Sequence, residues 1–240
     1  MKFAVISDVH SNLEALECTL SEIKKRGSDK IICLGDAVGY GANPSECLAI
    51  FRSSVDVVIM GNHDQAIFDI PFRDYFNPRA RRALEWTAEV LSEQEKRQIK
   101  DFLPVTIDQT HQVTWAHSSI HEPLDYHYIF TQEDASPSLE ILKTNFCFFG
   151  HTHFPSLFSA EENKSQYLPA GIYQLKKNSR CLINPGSVGQ PRDKNPKLSF
   201  AFFDSESLKL EIVRLAYDNV KAADKIRKAG LPEYFAERLL

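Results

Sequence analysis

The sequence predicts an α/β fold, a sheet of strands joined by crossover helices, and three observations lead there. Five short apolar runs, rich in β-branched and aromatic residues, recur along the first 150 positions with the length of buried strands. Between the first two runs the apolar residues switch to helical spacing. Each of the five runs then stops at a glycine or a polar residue, as a strand does where it meets a turn.

The first run is KFAVIS, positions 2–7. Positions 12–26 follow with Leu13, Leu16, Leu20 and Ile23 on one helical face, Asn12 as the cap and Gly27 as the stop. KIICL (30–34) and VDVVIM (55–60) are the next two strands, and strand, helix, strand in that order marks an α/β sheet. The stretch from about 72 to 103 contains no strand pattern. It reads as a helical insertion lying over the sheet, with helices at 78–91 and 92–102. Pro78 suits a first helical turn, and Ser92-Glu93-Gln94-Glu95 has the form of a capping box. QVTWA (112–116) and NFCFF (145–149) are the fourth and fifth strands. Beyond Gly150 come short strands near 181–184, 198–203 and 208–213, a closing helix at about 218–229 and a short helix after Pro232. No repeat, low-complexity tract or linker divides the chain, so one domain, 1–240, is expected.

Composition narrows the function classes. The 240 residues are 43% hydrophobic and 25% charged, the balance of an ordinary globular protein. A formal charge of −4 argues against a general nucleic-acid binder, because phosphate backbones are gripped by basic surface. The N-terminal apolar run turns polar at Ser7-Asp8, too early for a signal-peptide core or a membrane span, so no membrane association and a cytoplasmic location are expected. Cys18, Cys33, Cys47, Cys147 and Cys181 are odd in number, widely spaced and mostly set among apolar neighbours. Reduced, buried thiols are expected rather than a disulfide framework.

The chemistry lies in the residues just past each run. Asp8 and His10 come after the first, Gly35-Asp36 after the second, and Gly61-Asn62-His63-Asp64 after the third. His117 comes after the fourth and Gly150-His151-Thr152-His153 after the fifth. In α/β sheets the carboxyl ends of strands open onto the binding crevice, so residues spread over most of the chain can converge there. In D-x-H and H-x-H, a spacing of two is expected to put both side chains on one side of an extended segment. Singly such pairs are common by chance; five ligand-bearing segments, each placed directly after a strand, are not. His111, His121 and His127 obey no such pattern and read as surface or loop residues.

The ordered set D-V-H, G-D-A-V, G-N-H-D, a separate His and G-H-T-H resembles the signature of the calcineurin-like metallophosphoesterases. G-D-A-V-G-Y-G, F-N-P-R-A and I-N-P-G-S-V-G-Q-P-R are similar to its bacterial and archaeal branch of small phosphoesterases. The resemblance implies a four-layer αββα sandwich, two sheets between helices, with a two-metal site at the strand ends. It assigns Asp8, His10, Asp36 and His153 to one metal and Asp36, Asn62, His117 and His151 to the other. It also implies phosphoester hydrolysis by direct attack of a metal-bridging hydroxide on a phosphomonoester or phosphodiester, whether of a small molecule or a nucleotide. Oxygen and imidazole ligands without thiolate suit Mn, Fe, Zn or Ni as the two divalent ions.

Within that resemblance His63 is not a ligand but the group that stabilises the transition state or protonates the leaving oxygen, work suited to an imidazole titrating near neutrality. Asp64 fixes the loop or that imidazole. Asn62 is neutral where a third carboxylate would cancel more of the cations' charge. The serine/threonine phosphatase branch carries G-D-x-V-D-R-G, whereas Gly39 and Tyr40 stand in the places of its second Asp and its Arg. The phosphate grip of that branch is therefore missing. Ser118 follows His117 where glycine is frequent, and its hydroxyl is expected to bond locally. Asn77, Arg79 and Arg192 are the candidate substrate-binding residues; Arg81 and Arg82 fit a solvated basic helix face better. Two other readings remain, a retromer-type scaffold on the same fold and a nuclease. The full ligand set with His63 argues against the first, and the acidic balance against the second.

Overall fold

A computed structural model describes residues 1–240. The chain runs from strand β1 (Lys2–Ile6) through helix α1 (Leu13–Arg26), β2 (Lys30–Cys33) and α2 (Pro44–Ser54) to β3 (Val57–Val58). Two one-turn helices, α3 (Asn62–Gln65) and α4 (Ile70–Arg73), precede α5 (Pro78–Val90) and α6 (Glu93–Lys100). Strands β4 (Val105–Asp108) and β5 (Val113–Ala116), helix α7 (Gln132–Ile141) and β6 (Phe146–Phe148) follow. The remainder is β7 (Ser156–Ser159), β8 (Lys164–Tyr167), β9 (Gly171–Gln174), β10 (Cys181–Asn184), β11 (Leu198–Asp204), β12 (Lys209–Leu215), α8 (Asn219–Lys228) and α9 (Glu233–Glu237).

The strands form two six-stranded sheets, in the orders β3-β2-β1-β11-β12-β9 and β4-β5-β6-β10-β7-β8. Alternation along each apolar strand assigns its two faces. Phe3 and Val5 of β1 and Ala201 and Phe203 of β11 meet Trp115 of β5, Phe146 and Phe148 of β6 and Ile183 of β10 in a core between the sheets. The intervening residues point outward. Ala4, Ile6, Phe200 and Phe202 pack under α1 and α2 through Leu16, Ile23, Leu48 and Phe51. Ala116, Cys147 and Leu182 pack under α7 through Leu139. The order helix, sheet, sheet, helix is the four-layer sandwich that the family resemblance implied. It also explains why the runs are almost continuously apolar: both faces are buried, and each large side chain contributes about 1.5–3 kcal/mol.

Strands β1, β2 and β3 are parallel, as are β5, β6 and β10, so their carboxyl ends rise to a common crest. The predicted caps hold: the Asn12 side chain accepts from the Ala15 amide at 3.2 Å, and Ser92 with Glu95 forms the capping box. Helix α5 bridges two layers, with Leu84 in the core beneath it and Ala80 and Ala83 against Ala223, Ile226 and Phe235 of the C-terminal helices. All five cysteines are free thiols, four of them buried. No helix is long and apolar enough to cross a membrane.

Candidate metal centre

Every polar residue singled out after a strand arrives at the crest. Asp8, His10, Asp36, Asn62, His63, His117, His151 and His153 are all buried there. Among these residues, three groups have donor atoms within 4.8 Å of one another: Asp8, His10 and His153; Asp36, His117 and His151; and His10, Asp36 and His63. Asp36 joins them, because its Oδ2 lies 3.5 Å from Nε2 of His10 and 3.5 Å from Nε2 of His117. The Asn62 Oδ1 is 3.2 Å from His117 Nε2, which places it beside the second group.

The backbone delivers these side chains differently from the expectation. The D-x-H and H-x-H segments are not extended: Asp8, His10, His151 and His153 have φ of 52°, 49°, 64° and 63°, and Asp36 has 53°. Left-handed turns of non-glycine residues cost of order 1–3 kcal/mol each and persist where the surroundings enforce them. His151 and His153 part company, one to each group, while Asp8 and His10 share one. Gly61 is required by close approach, since a Cβ there would overlap the Asp36 carboxylate.

The donor chemistry fits divalent cations. Nδ1 of His117 is 2.8 Å from the Leu34 carbonyl, Nδ1 of His153 is 2.6 Å from that of Gln190, and Nδ1 of His10 is 3.2 Å from that of Val38. A carbonyl can only accept, so each Nδ1 carries a proton and each Nε2 is left facing the cluster, as in metal sites whose imidazoles are oriented from behind. His10 and His153 consequently face each other with Nε2 atoms 3.2 Å apart, a separation that suits two ligands with bonds of about 2.1 Å to one ion. Nε2 of His151 is buried and has no partner, while its Nδ1 is 3.2 Å from His117 Nε2. Burial holds His10, His151 and His153 well below the usual imidazole range, so they are neutral, the form that binds metal. Burial works against a charged His117 too, but the Asp36 carboxylate outweighs it and carries His117 up to about 9. Burial pushes Asp8 up to about 7. Asp8 thus gains from added positive charge.

His63 lies between rings, edge-on to His10, Tyr40 and Phe76 at centroid distances of 4.7, 4.4 and 5.0 Å, with its Nδ1 buried and unpartnered. Burial pushes it down to about 4, away from the near-neutral titration the sequence suggested. Gly39, with φ 129°, leaves no room for a carboxylate there: a Cβ would come 2.7 Å from that Nδ1. The carboxylate of Asp64 accepts instead from the Gly61 and Val38 amides, at 3.0 and 3.2 Å, and so fixes the loop rather than the imidazole. Ser118 Oγ is buried without the local hydrogen bond expected of it.

The three substrate candidates fall at different distances from this centre. Asn77 caps α5, accepting from the Ala80 amide at 3.1 Å. The exposed Arg79 lies over the Tyr234 ring at 4.8 Å. Arg192 is nearest: its Nη2 reaches Tyr40 Oη at 3.4 Å and Gln190 Oε1 at 3.3 Å, its Nε is buried without a partner, and its charge bears on Asp8 and on His10, His63, His151 and His153. Sequence reasoning missed Arg238, whose Nη1 approaches the same Gln190 oxygen at 3.5 Å from the end of the chain. It also missed Tyr40, tilted against His10 at 4.5 Å, and Tyr128, stacked at 4.0 Å on His151. Tyr40 had a signal, its place directly after Gly39; Tyr128 and Arg238 had none. His121 and His127 are exposed, as read, whereas His111 is half-buried and pairs with Asp108 at 2.8 Å.

Comparison with known proteins gives a consistent picture. Residues 1–208 match the model of the calcineurin-like phosphoesterase superfamily domain. An uncharacterized protein of Methanocaldococcus jannaschii is 42% identical, over 98% of this chain and 96% of its own. The crystal structure of a metallophosphoesterase from Sphaerobacter thermophilus superposes with a TM-score of 0.89 at 33% identity, covering 100% of this chain and 98% of that one. A hypothetical protein from Pyrococcus horikoshii OT3 shares the fold, with a TM-score of 0.80 at 21% identity over 99% and 97% of the two chains.

Proposed function

Because the chain belongs to the calcineurin-like phosphoesterase superfamily, we propose that it hydrolyses a phosphomonoester or phosphodiester, of a small molecule or a nucleotide, at a two-cation site. The observation that carries this reading is the position of Asp36, whose Oδ2 is equidistant from His10 and His117 and so can belong to two cation sites at once. Asp8, His10, Asp36 and His153 would hold one ion and Asp36, Asn62, His117 and His151 the other. An oxygen and imidazole donor set without thiolate suits Mn, Fe, Zn or Ni. When bound, such a pair supplies Lewis acidity toward the phosphoryl oxygens and a water acidic enough to ionise near neutral pH.

The chain's own residues do the rest. Two carboxylates against four positive charges leave about two to attract an anionic ester, and the neutral Asn62 preserves that surplus. His63, outside the ligand set and held between Tyr40 and Phe76, offers a ring N–H to the phosphoryl or leaving oxygen. Asp64 is a positioning residue, tying together the two loops that carry Asp36 and Asn62. Arg192, with Arg238 beside it, grips the ester's free oxygens, in place of the arginine absent from the G-D-A-V-G-Y motif.

The test is metal analysis combined with turnover of bis-p-nitrophenyl phosphate and p-nitrophenyl phosphate in the presence of Mn²⁺. About two ions per chain and release of nitrophenol are expected. Failure to bind metal, or metal binding without turnover of either ester, sinks the hydrolase reading, and the second outcome leaves a binding module in its place.

A further inference from the structure

The segment after β5 carries two exposed aromatic rings that the hydrolytic centre does not use. Tyr128 lies face to face on His151, with centroids 4.0 Å apart and planes at 26°. Phe130 lies parallel to Tyr128, at 5.4 Å and 11°. The two rings are 50% and 54% exposed, so a column of parallel rings rises from a buried imidazole of the cation site into solvent.

This platform is fixed in advance. On one side of Tyr128 the buried Tyr126 donates to Gln65 Oε1 at 2.8 Å and packs on His117. Between the two rings the buried Ile129 is pinned in the core under α7, and Thr131 caps that helix by accepting from the Asp134 amide. Rings held this way lose little freedom when a ligand stacks on them.

Beyond Phe130 opens a cleft of about 160 Å³, whose lining includes Phe130, Phe154, Tyr167, Gln166 and Thr152. Thr152, which lines the cleft, is the residue between His151 and His153 in the chain. The cleft is smaller than the roughly 300–1,000 Å³ of an ordinary small-molecule pocket. It therefore takes one ring system, with the rest of the ligand lying outside it, back over Tyr128 toward His151. Phe130, Phe154, Phe158 and Tyr167 give it aromatic surface, and Gln166 in its lining carries both a hydrogen-bond donor and an acceptor, the combination that the edge of a nucleobase presents.

We propose that this cleft seats the base of a nucleotide whose phosphate lies at the Asp36 centre, which makes a nucleoside phosphate ester the substrate class. The inference rests on the hydrolase reading for its chemistry but not for its binding geometry, and the experiment separates the two. Adenosine 5′-monophosphate and ribose 5-phosphate differ only in the base. Titrated calorimetrically into the metal-loaded protein as their hydrolysis-resistant methylene phosphonates, the first binds about tenfold tighter or more, the range that one base–aromatic stack brings. Phe130→Ala, at a half-exposed ring whose loss leaves the core intact, abolishes the difference while ribose 5-phosphate binds as before; Phe130→Trp restores it. In turnover, p-nitrophenyl thymidine 5′-phosphate and methyl p-nitrophenyl phosphate share a leaving group, and only the first loses kcat/KM in Phe130→Ala. Equal affinity for the two monophosphates, no binding of either, or an advantage that survives Phe130→Ala overturns the inference. A base-dependent affinity without turnover of any ester overturns the hydrolase reading and leaves the base site standing.

Discussion

Nε2 of His10 and Nε2 of His153 face each other 3.2 Å apart, and neither has a proton to place between them, because each ring gives its N–H to a backbone carbonyl. Two lone pairs confronted in a buried site are a destabilising contact until a cation intervenes. Chelation should therefore lower the melting temperature, and Mn²⁺ should restore it. An ion at a hundred times its dissociation constant contributes about 2.7 kcal/mol, which for a chain of this size is roughly 5–10 °C. Scanning calorimetry with and without chelator checks this, and an unchanged midpoint would count against a metal site at these residues.

His63 shares a donor cluster with His10 and Asp36, yet its ring is wedged between Tyr40 and Phe76. Its assignment as the proton-bearing group and not a ligand separates cleanly in one variant. His63→Ala should keep about two ions per chain and lose on the order of 10²–10⁴ in kcat, the worth of a positioned acid or hydrogen-bond donor. Metal content by mass spectrometry beside the rate decides it; loss of an ion would make His63 a ligand.

Much of this was legible in the sequence because the signals are local. A strand buried on both faces must be apolar at every position, and the positions just past it must be polar or glycine where it reaches a crevice, so β1, β2, β5, β6 and their trailing residues announced themselves. Strand β8 did not, since Lys164–Tyr167 is exposed throughout and shows no alternation. Helix α7 was hidden by Pro137 in its interior, and the third run contributes only Val57 and Val58 to a strand. The left-handed backbone of Asp8, His10, Asp36, His151 and His153 has no signature in residue type, because it is imposed by the loops packed around it. Arg238 was invisible for another reason: it meets Arg192 only through Gln190, across 48 positions of chain.

Asn62 is where the charge balance of the centre can be altered by a single atom. Its amide oxygen sits 3.2 Å from His117 Nε2. Asn62→Asp keeps an oxygen there and adds a negative charge, so metal affinity should hold or rise while anionic esters bind and react less well. Two unit charges 4 Å apart at an effective dielectric of 20 interact by about 4 kcal/mol, which bounds the loss of kcat/KM at roughly a thousandfold. Metal titration and steady-state kinetics on the same preparation check it. A variant as active as the parent would mean that the amide does not serve to preserve the cations' charge.

Arg192 and Arg238 converge on a single amide oxygen, that of Gln190, at 3.3 and 3.5 Å. Burial, and after it the neighbouring Arg192, hold Arg238 below its usual value. A phosphate oxygen at that point relieves the repulsion, so the pair should act mainly in binding. Arg192→Ala should raise KM about tenfold or more, since a hydrogen bond to a charged group contributes about 1.5–3 kcal/mol, with a smaller effect on kcat. Arg238→Ala should raise KM less, because it reaches the ester only through its neighbour's field, and the double variant should cost less than the two changes added. If Arg192→Ala lowers kcat and leaves KM alone, the guanidinium serves the transition state and not the ground state. If neither variant changes either constant, the pair belongs to the packing of the C-terminal helix, and the phosphate grip lies elsewhere.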